Sequence, residues 1–127
     1  MNWLMIALGG ALGALARAGL GDWLASTQPR WPLAALSVNV LGCFLAGVFL
    51  VLLAERNAAD GYWRAFLMIG FLGAFTTFSA FSVETLQLYE SFGLRAAVAH
   101  MLMNVVGSVL ACALGFWLSR SCLLNAG

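Results

Sequence analysis

The hydrophobic positions of this chain run together in four long stretches, roughly residues 3–24, 32–54, 63–90 and 94–119, each about the 20 residues that one helix needs to cross a bilayer core. Short polar segments separate them: DWLASTQPR, then ERNAADG, then a few residues around Glu90 to Gly93. Inside hydrocarbon a backbone must satisfy its own polar groups, so apolar runs of this length predict helices. Pro32 suits the first turn of the second helix, Glu55-Arg56 ends it, the third follows NAADG, and Ser119-Arg120 ends the fourth. The first run is read as a membrane helix and not a cleaved leader, because it lacks a basic start and Arg17 follows the apolar stretch. The pattern predicts a single four-helix transmembrane domain over residues 1–127, an all-α membrane protein with no soluble domain or linker.

Composition reinforces this. Hydrophobic residues make up 63% and charged residues 9%, against about 25% charged in soluble domains, so the lipid bilayer is the expected solvent. All six basic residues are Arg, five residues are acidic, and the net charge of +1 excludes a nucleic-acid surface. Four spans put Arg56, Arg64 and Arg120 on one side and Arg30 and Arg95 on the other. Orientation follows an excess of Lys and Arg in cytoplasmic loops, and this near-balance favours insertion both ways up, which allows an antiparallel pair, over the alternative of a single orientation. Cys43, Cys112 and Cys122 lack metal-ligand or CxxC spacing and read as small packing residues. Gly9 with Gly13, Gly42 with Ala46, and Ala111 with Gly115 have the small-xxx-small spacing of closely packed membrane helices.

Polar residues at bilayer depth are costly and often functional. His100, Asn104, Ser108 and Cys112 recur every fourth position and share one stripe of the fourth helix, as Asn39 and Cys43 do on the second. Thr76, Thr77, Ser79 and Ser82 lie in the third. Two readings stay open for these groups: interhelical glue, or neutral donors lining a path for an anion that must bind and then leave. Arg17 is a snorkelling or pore-mouth cation. Glu84, past the middle of the third span, is a vestibule or interfacial acid. His100, the single histidine, lies near the start of the fourth span and reads as structural.

The segment GFLGAFTTFSAFS, residues 70–82, is the least ordinary. A continuous helix would stack Phe71, Phe75, Phe78 and Phe81 into one aromatic stripe. Gly70 and Gly73 weaken the helix, and Thr76-Thr77 bring hydroxyls that bond backbone carbonyls. A break here would expose carbonyls able to hold a small hard cation, beside Phe ring edges whose positive rim faces an anion.

GFLGAFTTFSAFSVE resembles the motif of the Fluc/CrcB fluoride channel family, usually written GFCGGxTTFSTFSxE. GGALGALAR, PLAALSVNVLGCFLAG and NVVGSVLACALGFWLS are similar to the family's first, second and fourth spans, so the likeness covers essentially the whole chain. Leu72 stands for the family's Cys, Ala74 for a Gly, Ala80 for a Thr, and Ala34-Ala35 for a Gly-Thr. The resemblance implies a fluoride-selective passive channel in the cell's inner membrane, exporting fluoride from the cytoplasm. It implies a dual-topology antiparallel homodimer with a broken third helix and a structural Na⁺ at its centre. On matching positions, Gly73 and Thr76 would offer carbonyls to Na⁺. Phe78, Phe81, Asn39, Asn104 and Ser108 would line the fluoride pore, with Arg17 and Glu84 at a vestibule or in a structural role. The rival is a small dual-topology multidrug exporter, which would need a membrane carboxylate in the first span; none precedes Asp22. A tetraspan partner protein without transport is a further alternative. One His, no clustered carboxylates and no ligand-spaced cysteines argue against an enzyme.

Overall fold

A computed structural model describes residues 2–27, 32–55 and 61–126. Among the described residues, four helical stretches are long and apolar enough to cross a membrane. They are α1 (Trp3–Thr27), α2 (Ala34–Glu55), a third stretch in two parts, and α5 (Leu94–Ala126). The third opens with a turn, Gly61–Arg64, continues as a π-helix, Ala65–Leu72, and closes with Gly73–Phe75; these pieces together are α3. Thr76 (φ −76°, ψ 151°) and Thr77 (φ −150°, ψ 123°) are extended, and α4 (Phe78–Phe92) follows.

The helices outrun the apolar stretches that predict them. α1 continues past residue 24, where the Ser26 and Thr27 hydroxyls donate to the Trp23 carbonyl at 2.7 and 3.1 Å. α5 continues past residue 119, and the Arg120 guanidinium lies 5.9 Å from the Phe116 ring centroid. A polar side chain ends an apolar run but not a helix; chain geometry does that. Gly93 supplies such an end for α4. Its φ of 82° is in the left-handed region glycine tolerates, and its N–H donates to the Tyr89 carbonyl at 2.9 Å. At the start of α2, Pro32 is not in the first turn as expected but two residues ahead of it. Leu33 accepts the first helical bond, from Ser37 N–H at 3.0 Å.

Two helix pairs make up the bundle. α2 runs along α5, α1 runs along the π-helical part of α3, and α4 closes against α5. Glycines set both distances. A Cβ at Gly9 would strike the Phe66 carbonyl oxygen, one at Gly13 the Phe71 carbonyl, and one at Gly70 would sit 3.0 Å from the Gly9 Cα. Gly70 thus serves close approach and remains helical. Between α2 and α5, Gly115 faces the Phe44 carbonyl, as its spacing suggests, but its counterpart is Gly47, facing Cys112. Gly42 instead makes room for Thr76 and Phe75.

The fully buried apolar side chains are few and often small, among them Ala35, Val38, Ala65 and Ala97. Leu102, Val105, Val109 and Leu114 stand exposed, as side chains facing lipid or another copy should. Trp3 and Trp23 are exposed at opposite ends of α1. Their 20 positions of separation span about 30 Å of helix, the thickness of a hydrocarbon core, where Trp favours both interfaces.

Candidate functional site

The break at Thr76–Thr77 leaves Thr76 N–H bonded to the Leu72 carbonyl at 3.0 Å but takes Thr77 N–H out of the helical ladder, and a buried N–H needs another partner. Asn39 on α2 supplies it. Thr77 N–H donates to Asn39 Oδ1 at 2.8 Å, and Asn39 Nδ2 donates to the Thr77 carbonyl at 3.0 Å. Thr77 itself caps α4, accepting from Ala80 N–H through Oγ1 at 3.2 Å. Both diversions matter for carbonyls one turn back. The helical partner of the Gly73 carbonyl would be Thr77 N–H, and that of the Thr76 carbonyl would be Ala80 N–H; both now serve side-chain oxygens.

The polarity of the network follows from Thr77. A backbone N–H can only donate, so the Asn39 atom facing it is the oxygen, and the other is Nδ2. Its second hydrogen goes to Asn104 Oδ1 at 2.9 Å. Asn104 must therefore turn its oxygen to Asn39, which leaves its own amide nitrogen as the free end. Asn104 Nδ2 is buried without a hydrogen-bond partner. One turn on, Ser108 Oγ is also buried without an oxygen or nitrogen partner, its neighbour being the Cys43 thiol, a weak sulfur acceptor. Buried polar groups are paired in the great majority of cases, so two adjacent free donors on one stripe of α5 are a site in search of an acceptor.

These donors line an open cleft of about 340 Å³ walled by Asn39, Cys43, Thr76, Thr77, Phe78 and Phe81, with Val105 and Val109 on the α5 side. Phe78 and Phe81 meet edge to face, 5.1 Å between centroids and 62° between planes. Phe81 is buried and Phe78 is 77% exposed, so the cleft's outer wall is a ring with one face uncovered. The break divides the expected aromatic stripe: Phe71 and Phe75 stack on each other at 5.7 Å as packing on the α3 side.

Of the residues expected at the site, Phe78, Phe81, Asn39, Asn104, Ser108 and Thr76 come together at the cleft. Gly73 lies exposed one turn before the break with nothing within 4 Å of a would-be Cβ. Arg17 is half-buried on α1, away from the cleft-lining residues. Glu84 lies elsewhere: its carboxylate accepts from Ala35 N–H at 2.9 and 3.2 Å, capping α2 from another helix. It lies 3.5 Å from His100 Nε2. His100, expected near an interface, is 1% exposed. Thr77 and Cys43, weighed from the sequence as glue or path lining but not among the residues the resemblance assigned to the pore, also line the cleft. Ala80, where the family has Thr, enters through its backbone N–H.

Fold and cleft define a small multi-pass membrane protein with a polar cleft at bilayer depth. Residues 4–116 match the family described as "CrcB-like protein, Camphor Resistance (CrcB)", and the chain belongs to that family. It is similar to proteins named fluoride-specific ion channel FluC. The one from Saccharophagus degradans is 50% identical over 109 residues, 86% of this chain and 82% of the relative. That from Solibacter usitatus is 44% identical over 110 residues, 86% and 87% of the two chains. That from Paracoccus denitrificans is 41% identical over 119 residues, 94% of each.

Proposed function

We propose that this protein is a fluoride-selective passive channel of the plasma membrane, and that fluoride passes along the stripe of free donors on α5. The observation that carries the reading is the pair of buried, unpartnered donors, Asn104 Nδ2 and Ser108 Oγ, facing the Phe78 and Phe81 rings across one cleft. Neutral donors and the positive rims of aromatic rings suit a small, strongly hydrated anion, because they replace water without holding the ion as a fixed charge would. The names of the relatives point to the same ion. Fluoride enters as neutral hydrogen fluoride and dissociates in a near-neutral cytoplasm. A passive pore then lets an inside-negative potential expel it, with about 2.3 kcal/mol per charge for each 100 mV, and no other coupling is required.

The working unit in this reading is an antiparallel dual-topology homodimer. The 77% exposed Phe78 ring and the open side of the cleft support a pathway completed by a second copy. The break in the third span serves as a Na⁺ site at the dimer centre, built from Gly73 and Thr76 carbonyls. The diversion of Thr77 and Ala80 N–H groups to side chains supports the availability of those carbonyls.

The test is fluoride efflux from proteoliposomes under a potassium–valinomycin potential, with chloride as control. Fluoride flux far above chloride flux is expected, with a marked loss in Phe78→Ala. Absent or equal fluxes would reject the channel. Replacing Na⁺ by a large organic cation during purification should weaken the dimer on size exclusion, and an unchanged profile removes the Na⁺ site.

A further inference from the structure

Against Phe81 lies a buried pair that the pore reading does not use. The His100 imidazole stacks on Phe81 at 5.6 Å and 27°. Its Nδ1 is 3.0 Å from Thr85 Oγ1, and its Nε2, buried and making no hydrogen bond, is 3.5 Å from Glu84 Oε2. The proton arrangement can be worked out from the outside in. Thr85 Oγ1 is 2.7 Å from the Phe81 carbonyl, which only accepts, so the single hydroxyl hydrogen lies there. Towards His100, Thr85 can therefore only accept, and Nδ1 carries a hydrogen. A neutral ring with its hydrogen on Nδ1 has a bare lone pair on Nε2. That lone pair would face a carboxylate held in place by the Ala35 N–H. Two acceptors cannot be left facing each other in a buried site.

We propose that Glu84 and His100 share one proton beyond the neutral-imidazole, ionised-carboxylate state, and that this proton makes His100 a positioning residue for Phe81. Whichever partner carries it, an N–H or O–H then lies between Nε2 and Oε2, and the imidazole stays flat against the Phe81 ring. Removing it sets lone pair against carboxylate, turns the imidazole, and takes away the backing of a cleft wall. The sign follows: fluoride flux is high where the pair is loaded and falls as pH rises through its titration. The groups that face the pair are α4's Glu84 and Thr85, α5's His100, and the N-terminal amide of α2 at Ala35. Glu90 and Arg95 are both exposed, Glu90 six residues after Glu84 on α4 and Arg95 five residues before His100 on α5, and Arg30 lies outside the described residues.

This inference rests on the channel reading for its consequence but not for its proton. The chain has one histidine, so ¹⁵N-histidine labelling of the full protein in lipid gives a single imidazole to follow, from about pH 6 to 9, the range where histidine ordinarily changes state or has just done so. The expected result is a hydrogen on Nδ1 at every pH, loss of the second proton on raising the pH, and a several-fold fall in fluoride flux over the same interval. Glu84→Gln should remove the pH dependence and hold flux at its acidic level, because the amide puts a permanent N–H opposite Nε2 while its oxygen still accepts from Ala35. His100→Gln should also flatten the profile. A bare Nδ1, no titration of the pair in this range, or a pH profile that persists in both variants overturns the proposal. An absence of fluoride flux at any pH would reject the channel instead, and leave the imidazole spectrum to decide the proton.

Discussion

The third span is held in two different ways on the two sides of its break. On the α3 side, contact with α1 is backbone against backbone: Gly9, Gly13 and Gly70 let main chains meet where a Cβ would collide, and the adjacent helix takes the wider π form from Ala65 to Leu72. On the α4 side the contacts are directional and polar: Asn39 with Thr77, Asn39 with Asn104, and Glu84 with Ala35. In lipid no hydrophobic force drives helices together, so association depends on close packing or on hydrogen bonds. This protein uses the first where it needs a rigid frame. It uses the second where it needs polar groups in the membrane with their orientation fixed.

The contrast can be broken from either side. Gly9→Val should have the largest effect, since its side chain meets the Phe66 carbonyl and Phe71 N–H and no rotamer removes the clash. Loss of the monodisperse peak on size exclusion checks this, and Ser at Gly19, where nothing lies within 4 Å, is the control. Asn39→Ala comes next. It strands Thr77 N–H and Asn104 Oδ1, at about 1–3 kcal/mol for each group left unpaired, and it frees Asn104 to turn its oxygen into the cleft. Thermal unfolding in detergent should show the destabilisation and proteoliposomes the loss of flux. Thr77→Val keeps the shape but removes the cap on α4, costing about 1 kcal/mol in the same unfolding assay. Ser108→Ala should cost least in stability, within about 0.5 kcal/mol, because an unpaired hydroxyl has no bond to lose. It should still lower fluoride flux several-fold. A protein in which Ser108→Ala is as destabilising as Thr77→Val would be using Ser108 as glue, and the contrast between frame and path would fail there.

Asn39 shows how far the chain could be read in advance. Its place at bilayer depth and its four-residue spacing from Cys43 left it either interhelical glue or path lining, the family resemblance assigned it to the pore, and it lines the cleft. It was expected to offer hydrogen bonds to the pore. Both of its Nδ2 hydrogens are instead engaged, by Thr77 and Asn104, so its part in this arrangement is to orient Asn104. His100 is the complementary case. Position along the helix suggested an interface, yet α4 folds over it and buries it. Gly42 and Gly47 differ in the same way: either could have faced α5 by spacing, and rotation of α2 about its axis decided between them.

The sequence by itself determined the number of spans, the lipid environment, the irregularity at Thr76-Thr77, and which polar residues share a helical stripe. Each of these depends on composition within a run or on spacing along one helix, and 3.6 residues per turn converts spacing into direction without further information. Only the tertiary structure decided which groups are already satisfied. Thr77 N–H fixes the polarity of Asn39, Asn39 fixes Asn104, and Thr85 fixes the tautomer of His100. Those choices travel across helices 38 and 65 residues apart in the chain. A hydrogen bond has a direction that spacing does not record, so which donor is left free is settled only when the partners meet.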